Sequence, residues 1–76
     1  MPPQDINDLN SLLQESYPRL SKKMKLIAFY VIDQPQNLAI NTLAVIASEI
    51  GVYPSTLVRF AKHFGFSGFA ELQDLF

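Results

Sequence analysis

Apolar residues recur at helical rather than strand spacing along almost the whole chain, and the pattern predicts helices from end to end. Ile6, Leu9, Leu12 and Leu13 follow the three-and-four spacing of an amphipathic helix. Asp5 or Asn7 is placed to cap that helix, and Pro18 ends it. Pro2 and Pro3 make the extreme N-terminus a poor helix former. Ser21 then caps a second helix over Lys22 to about Asp33, which stops before Gln34-Pro35 because a residue preceding proline is pushed out of the α region. This helix is apolar on more than one side. Met24, Ile27, Ala28 and Val31 form one stripe and Leu26, Phe29 and Tyr30 another, which implies burial against two neighbours, either within a central core or across to a second protomer.

Residues 36–41 read as a connection anchored by Leu38 and Ile40. Thr42 caps a short helix to Ile50 with Leu43, Ile46, Ala47 and Ile50 on its inner face, and Gly51 supplies the left-handed residue that ends it. Pro54 suits the first position of the following helix, since its φ is already helical and its missing N–H has no partner to lose there. That helix ends by Gly65, and Phe66 closes the glycine cap. Ser67 or Gly68 opens a last helix, with Glu71 at its favourable N-terminal end and Phe69, Leu72 and Phe76 as core contacts. The expectation is an all-α domain over residues 1–76, a small bundle of about five helices around a three-helix, homeodomain-like core.

Around the helix that starts at Pro54, steps of about 100° per residue gather Ser55, Thr56, Arg59, Lys62 and His63 on one arc of roughly 120°. Leu57, Val58, Phe60, Ala61 and Phe64 take the other side. The helix can therefore anchor in a core and present cations, hydroxyls and an imidazole outward, a set that suits phosphates and base edges. Ala47 before Gly51, and Leu57 after it, complete a helix-turn-helix pattern: a small residue where two helices cross closely, a turn, and an apolar lock. Helix pairs broken by glycine also occur in bundles that bind nothing, and an interaction or dimerisation module stands as the alternative to a DNA reader.

Charge sharpens the choice. The net charge of −1 and pI near 5.6 exclude a basic, indiscriminate nucleic-acid binder. The cations are segregated, however. Residues 1–18 hold Asp5, Asp8 and Glu15 without a cation, residues 19–32 hold Arg19, Lys22, Lys23 and Lys25 without an acid, and residues 51–66 hold Arg59 and Lys62 without an acid. Arg59 is the foremost base-reading candidate, because a guanidinium can bridge guanine O6 and N7. Ser55 and Thr56 in the first turn suit phosphate or base edges, or cap their own helix. Lys62 suits a phosphate as a flexible point charge. His63 lacks partners at ligand spacing and is a polar-rim or plain surface residue. Lys22 and Lys23, with Lys25, put positive charge where the helix macrodipole opposes it, which hints at an external phosphate partner.

With no cysteine, neither a disulfide nor a thiolate metal site is available. One histidine, no glycine-rich phosphate loop and scattered acids argue against an enzyme, and no metal or cofactor is expected. A chain of 76 residues buries only about 60% of its unfolded surface, and the 49% hydrophobic content, with six Phe and three Tyr, supplies a dense core without staples. No apolar run approaches the roughly 20 residues that cross a bilayer, nor do the first residues form a secretory signal, so a cytoplasmic protein is expected. The abrupt end at Phe76 reads as a cut through a longer polypeptide.

The run LAVIASEIGVYPSTLVRFAKHFGFSGF, Leu43 to Phe69, resembles the N-terminal DNA-binding domain of the RpiR family of bacterial transcriptional regulators, and KKMKLIAFYVIDQP from Lys22 resembles the family's preceding segment. Ala47, Gly51, Pro54, Thr56, Val58-Arg59-Phe60, Gly65-Phe66 and Gly68-Phe69 carry the likeness, which covers about four fifths of the chain. With Pro54 to Phe64 in the major groove, one small reading helix gives few contacts, so a homodimer on an inverted-repeat, double-stranded operator is expected. The resemblance implies a C-terminal sugar-isomerase-like domain, absent here, that senses a phosphosugar and ties the regulator to carbohydrate metabolism. One position departs from the family pattern. Tyr53 stands where serine would cap the reading helix, a loss that typically costs about 1 kcal/mol. Packing of the Tyr53 ring at the helix entry, or donation of its hydroxyl to a phosphate, would compensate.

Overall fold

The computed structural model describes residues 3–76, so the reading of Pro2 lies outside the described residues. Six α-helices follow one another with no strand among the described residues: α1 Ile6–Ser16, α2 Lys22–Asp33, α3 Pro35–Ile40, α4 Leu43–Ile50, α5 Pro54–His63 and α6 Phe69–Gln73. The 3₁₀ turn Tyr17–Arg19 joins α1 to α2. The all-α expectation holds, and of the capping residues read from the sequence Asp5, Ser21 and Thr42 cap through their side chains, while Gly68 rather than Ser67 precedes α6. The Asp5 carboxylate accepts the Asp8 N–H at 2.8 Å, and the Ser21 and Thr42 hydroxyls accept the N–H groups of Met24 and Val45 at 3.3 Å each.

Helices α2, α4 and α5 contact one another pairwise and form the three-helix centre, while α3 packs on α2 and α6 on α5. The core draws Leu9 and Leu13 from α1, Ile27, Ala28 and Val31 from α2, Ile46 and Ala47 from α4, and Leu57, Phe60 and Ala61 from α5. Phe60 is fully buried, and its ring meets that of Phe64 at 4.9 Å in a tilted arrangement. Val58, expected on the inner side with them, is half-buried at the edge.

The sixth helix is α3, which occupies the stretch read as a connection. Six residues cannot hold a helix alone, because nucleation costs more than so few bonds return. Tertiary contacts stabilise it. Leu38 is fully buried beneath it, the Asn37 amide donates to Gln34 Oε1 at its start, and Gln73 Nε2 reaches back from α6 to the carbonyls of Leu38 at 3.1 Å and Asn41 at 2.8 Å. Ile40 is not the second anchor it was expected to be. Winding the segment into a helix swings its side chain outward, leaving it 78% exposed.

The second stripe of α2 also divides. Tyr30 is buried and donates its hydroxyl to Glu49 Oε2 at 2.7 Å, tying α2 to α4. Burial first, and then the hydrogen bond and charge of Glu49, raise the Tyr30 phenol above its ordinary value of 10.0. Leu26 and Phe29 instead stand largely in solvent, 47% and 61% exposed.

Candidate nucleic-acid interface

The turn between α4 and α5 is built by Ala47 and Gly51. The Ala47 carbonyl accepts the N–H groups of both Gly51, at 2.9 Å, and Val52, at 3.0 Å, which reverses the chain as α4 ends. Gly51 has φ of 89°, a left-handed conformation that strains a residue with a Cβ, although a Cβ there would meet nothing within 4 Å. Across this break α4 and α5 are bent by 98°, within the range of about 90–120° of helix-turn-helix pairs. Taken singly, no described helix is long and apolar enough to cross a membrane. At the far end of α5, Phe66 N–H bonds Ala61 at 3.0 Å and Gly65 N–H bonds Lys62 at 3.1 Å, with Gly65 at φ 95° and Phe66 buried against the core. Both ends of α5 are thus fixed, and its inner side is locked by Leu57, Phe60 and Ala61.

What remains outward is the polar arc. Ser55, Arg59, Lys62 and His63 are exposed and Thr56 is half-buried, its N–H bonded to the Tyr53 carbonyl at 2.9 Å. The arc divides along the helix. Ser55, Thr56 and Arg59 lie towards the entry, and Lys62 and His63 occupy the last turn. There His63 meets Phe64 edge-on at 5.0 Å and lines a shallow cleft with Leu12 and Ser16 of α1.

Tyr53 does not pack into the helix entry. Its ring is 72% exposed and its hydroxyl makes no capping bond, because the side chain leaves an extended residue outside the first turn. Lys23 approaches it instead, with its Nζ 5.9 Å from the ring centroid, at the distance of a cation–π contact. Together with Gly51 and Val52 the pair lines an open depression beside the turn. The two basic segments of the sequence therefore meet at the entry to α5. Sequence reading missed this meeting, because nothing local links residues so far apart in the chain. Lys22 is exposed in the first turn of α2, whereas Lys25 is half-buried and turns back to the Tyr17 ring, 5.4 Å from its centroid.

Residues 7–74 match the family model described as helix-turn-helix domain, rpiR family. The chain is also 35% identical, over 68 residues, to an uncharacterized HTH-type transcriptional regulator of Haemophilus influenzae. The match takes in 90% of this chain but only 22% of the relative, so the chain spans about a fifth of that protein's length. With a family match over nearly its whole length and a helix-turn-helix at its centre, this chain belongs to the RpiR family of helix-turn-helix domains, the DNA-binding domains of transcriptional regulators.

Proposed function

We propose that the chain reads an operator by laying α5 in the major groove, Arg59 on base edges and Ser55 and Thr56 on base edges or phosphates near its entry. Lys62 and His63 then face the sugar-phosphate backbone at the far end, while Lys23 and Tyr53 meet it beside the turn. The observation that supports this most is the outer face of α5: it is cationic and hydroxylic, carries no acid, and belongs to the second helix of a helix-turn-helix. A single ten-residue reading helix makes few contacts, so the operator is an inverted repeat engaged by a two-fold dimer. Regulation of sugar or carbohydrate metabolism in the bacterial cytoplasm, through a phosphosugar bound by a further C-terminal domain, rests on the family resemblance.

The test is a titration of the full-length regulator against its own promoter region at about 50 and 200 mM salt. A shift at the lower salt that weakens steeply at the higher is expected. No shift at either would favour the interaction module, a reading to which the exposed Leu26 and Phe29 lend weight.

A further inference from the structure

The outer side of α2 carries a stripe whose positions are symmetric about one point and whose end charges are opposite. At about 100° per residue, Lys22, Leu26, Phe29 and Asp33 fall within an arc of about 60°, opposite the core-facing Met24, Ile27, Ala28 and Val31. All four are exposed. The midpoint between Leu26 and Phe29 is also the midpoint between Lys22 and Asp33, and it lies between Ile27 and Ala28. A two-fold axis through that point, with a second α2 running antiparallel, sets Leu26 against the partner's Phe29 and Lys22 against the partner's Asp33, each contact occurring twice. Such self-complementarity is what an isologous interface requires.

The end charges argue the same way. Lys22 stands in the first turn of α2 and Asp33 at its last residue, each at the end where its own helix macrodipole disfavours it. An antiparallel neighbour brings the opposite charge to both. The two cannot satisfy each other within one chain, being about 16 Å apart along the helix axis at 1.5 Å per residue.

We infer that the Lys22–Leu26–Phe29–Asp33 face of α2 is the surface on which two copies of this chain pair, antiparallel and about a two-fold axis. This deepens the two-fold dimer of the proposed reading and assigns Lys22 to the partner chain, leaving the phosphate contact of α2 to Lys23. One helix pair covers less than the roughly 1,200 Å² of a standard interface. Self-association of the 76-residue chain, which has its own closed core, is therefore weak, with Kd of about 0.1–1 mM.

Sedimentation of the chain without DNA tests this. Phe29→Glu, Lys22→Glu and Asp33→Lys are each expected to weaken self-association by about tenfold or more, with circular dichroism of each still showing the helical fold. An equal mixture of Lys22→Glu and Asp33→Lys chains should regain wild-type association, because every charge pair across the two-fold is then opposite again. The inference is overturned if the wild type stays monomeric at about 1 mM, if Phe29→Glu associates like the wild type, or if the mixture is as weak as its components. None of these readouts involves DNA, so failure here leaves operator reading by α5 standing, and failure of operator reading leaves the pairing of α2 standing.

Discussion

Helices α2 and α5 bury their inner sides in the same core and contact each other, yet they offer solvent opposite chemistries. The outer side of α5 carries hydroxyls, Arg59, Lys62 and His63 without an acid, whereas that of α2 carries Leu26 and Phe29 between a cation and an acid. A surface of one sign can be satisfied only by a partner of the other, such as a polyanion. A surface with an apolar centre and opposite charges at its ends is satisfied by a copy of itself. Anchoring is thus common to both helices, and the difference in outer faces separates what each can bind.

Removing the anchor should have the largest effect and erase the comparison. Phe60 is fully buried under α5, so Phe60→Ala is expected to cost about 3–5 kcal/mol. That is much of the total stability of a domain this size, about 0.05–0.15 kcal/mol per residue. Thermal melting followed by circular dichroism would show a large drop, and both outer faces would be lost with it. A melting curve matching the wild type would mean that α5 is held by something other than its aromatic core.

Arg59→Ala should instead separate the two helices. Specific operator affinity is expected to fall by about 1–3 kcal/mol, with one base preference relaxed. Melting and self-association stay unchanged, since Arg59 is exposed. Unaltered operator titrations would remove Arg59 as a reader. Lys62→Ala should act more weakly and without regard to sequence, lowering the salt dependence of binding by about one unit of slope. An unchanged slope would mean that Lys62 is merely solvated.

The smallest expected effect lies on the inner side of α2. Tyr30 is a neutral acid whose pKa is raised in the folded chain, mainly by burial. The folded state therefore holds this proton more tightly than the unfolded one. The resulting stability is fully present below the ordinary value of 10.0 and is lost as pH rises through the higher folded value. Denaturant midpoints measured from pH 8 to 11 should fall at the alkaline end, and Tyr30→Phe should flatten that fall. An equal fall in the variant would place the titration elsewhere.

Glycine chemistry made much of the helix-turn-helix legible in the chain itself. Gly51 and Gly65 mark the ends of α4 and α5 because their positive φ is readily reached only without a Cβ, and the caps Asp5, Ser21 and Thr42 act within three residues of themselves. The helical period of α5 likewise separates its core side from its polar arc, Val58 at the edge excepted. Helix α3 was not legible, since its support comes from Gln73, far along the chain. Neither was the exposure of Leu26, Phe29 and Ile40, for an apolar stripe states a capacity for burial and not a neighbour to supply it.

The sequence by itself determined the helices that have local start and stop signals, the left-handed turn at Gly51 and the two faces of α5, because capping, backbone strain and helical period act over a few residues. Only the tertiary structure decided that Lys23 meets Tyr53 at the entry to α5, that Gln73 holds α3, and that one side of α2 remains open. Those outcomes depend on which helices come to lie side by side. That choice is made by burial of the whole core at once and is written in no single stretch of the chain.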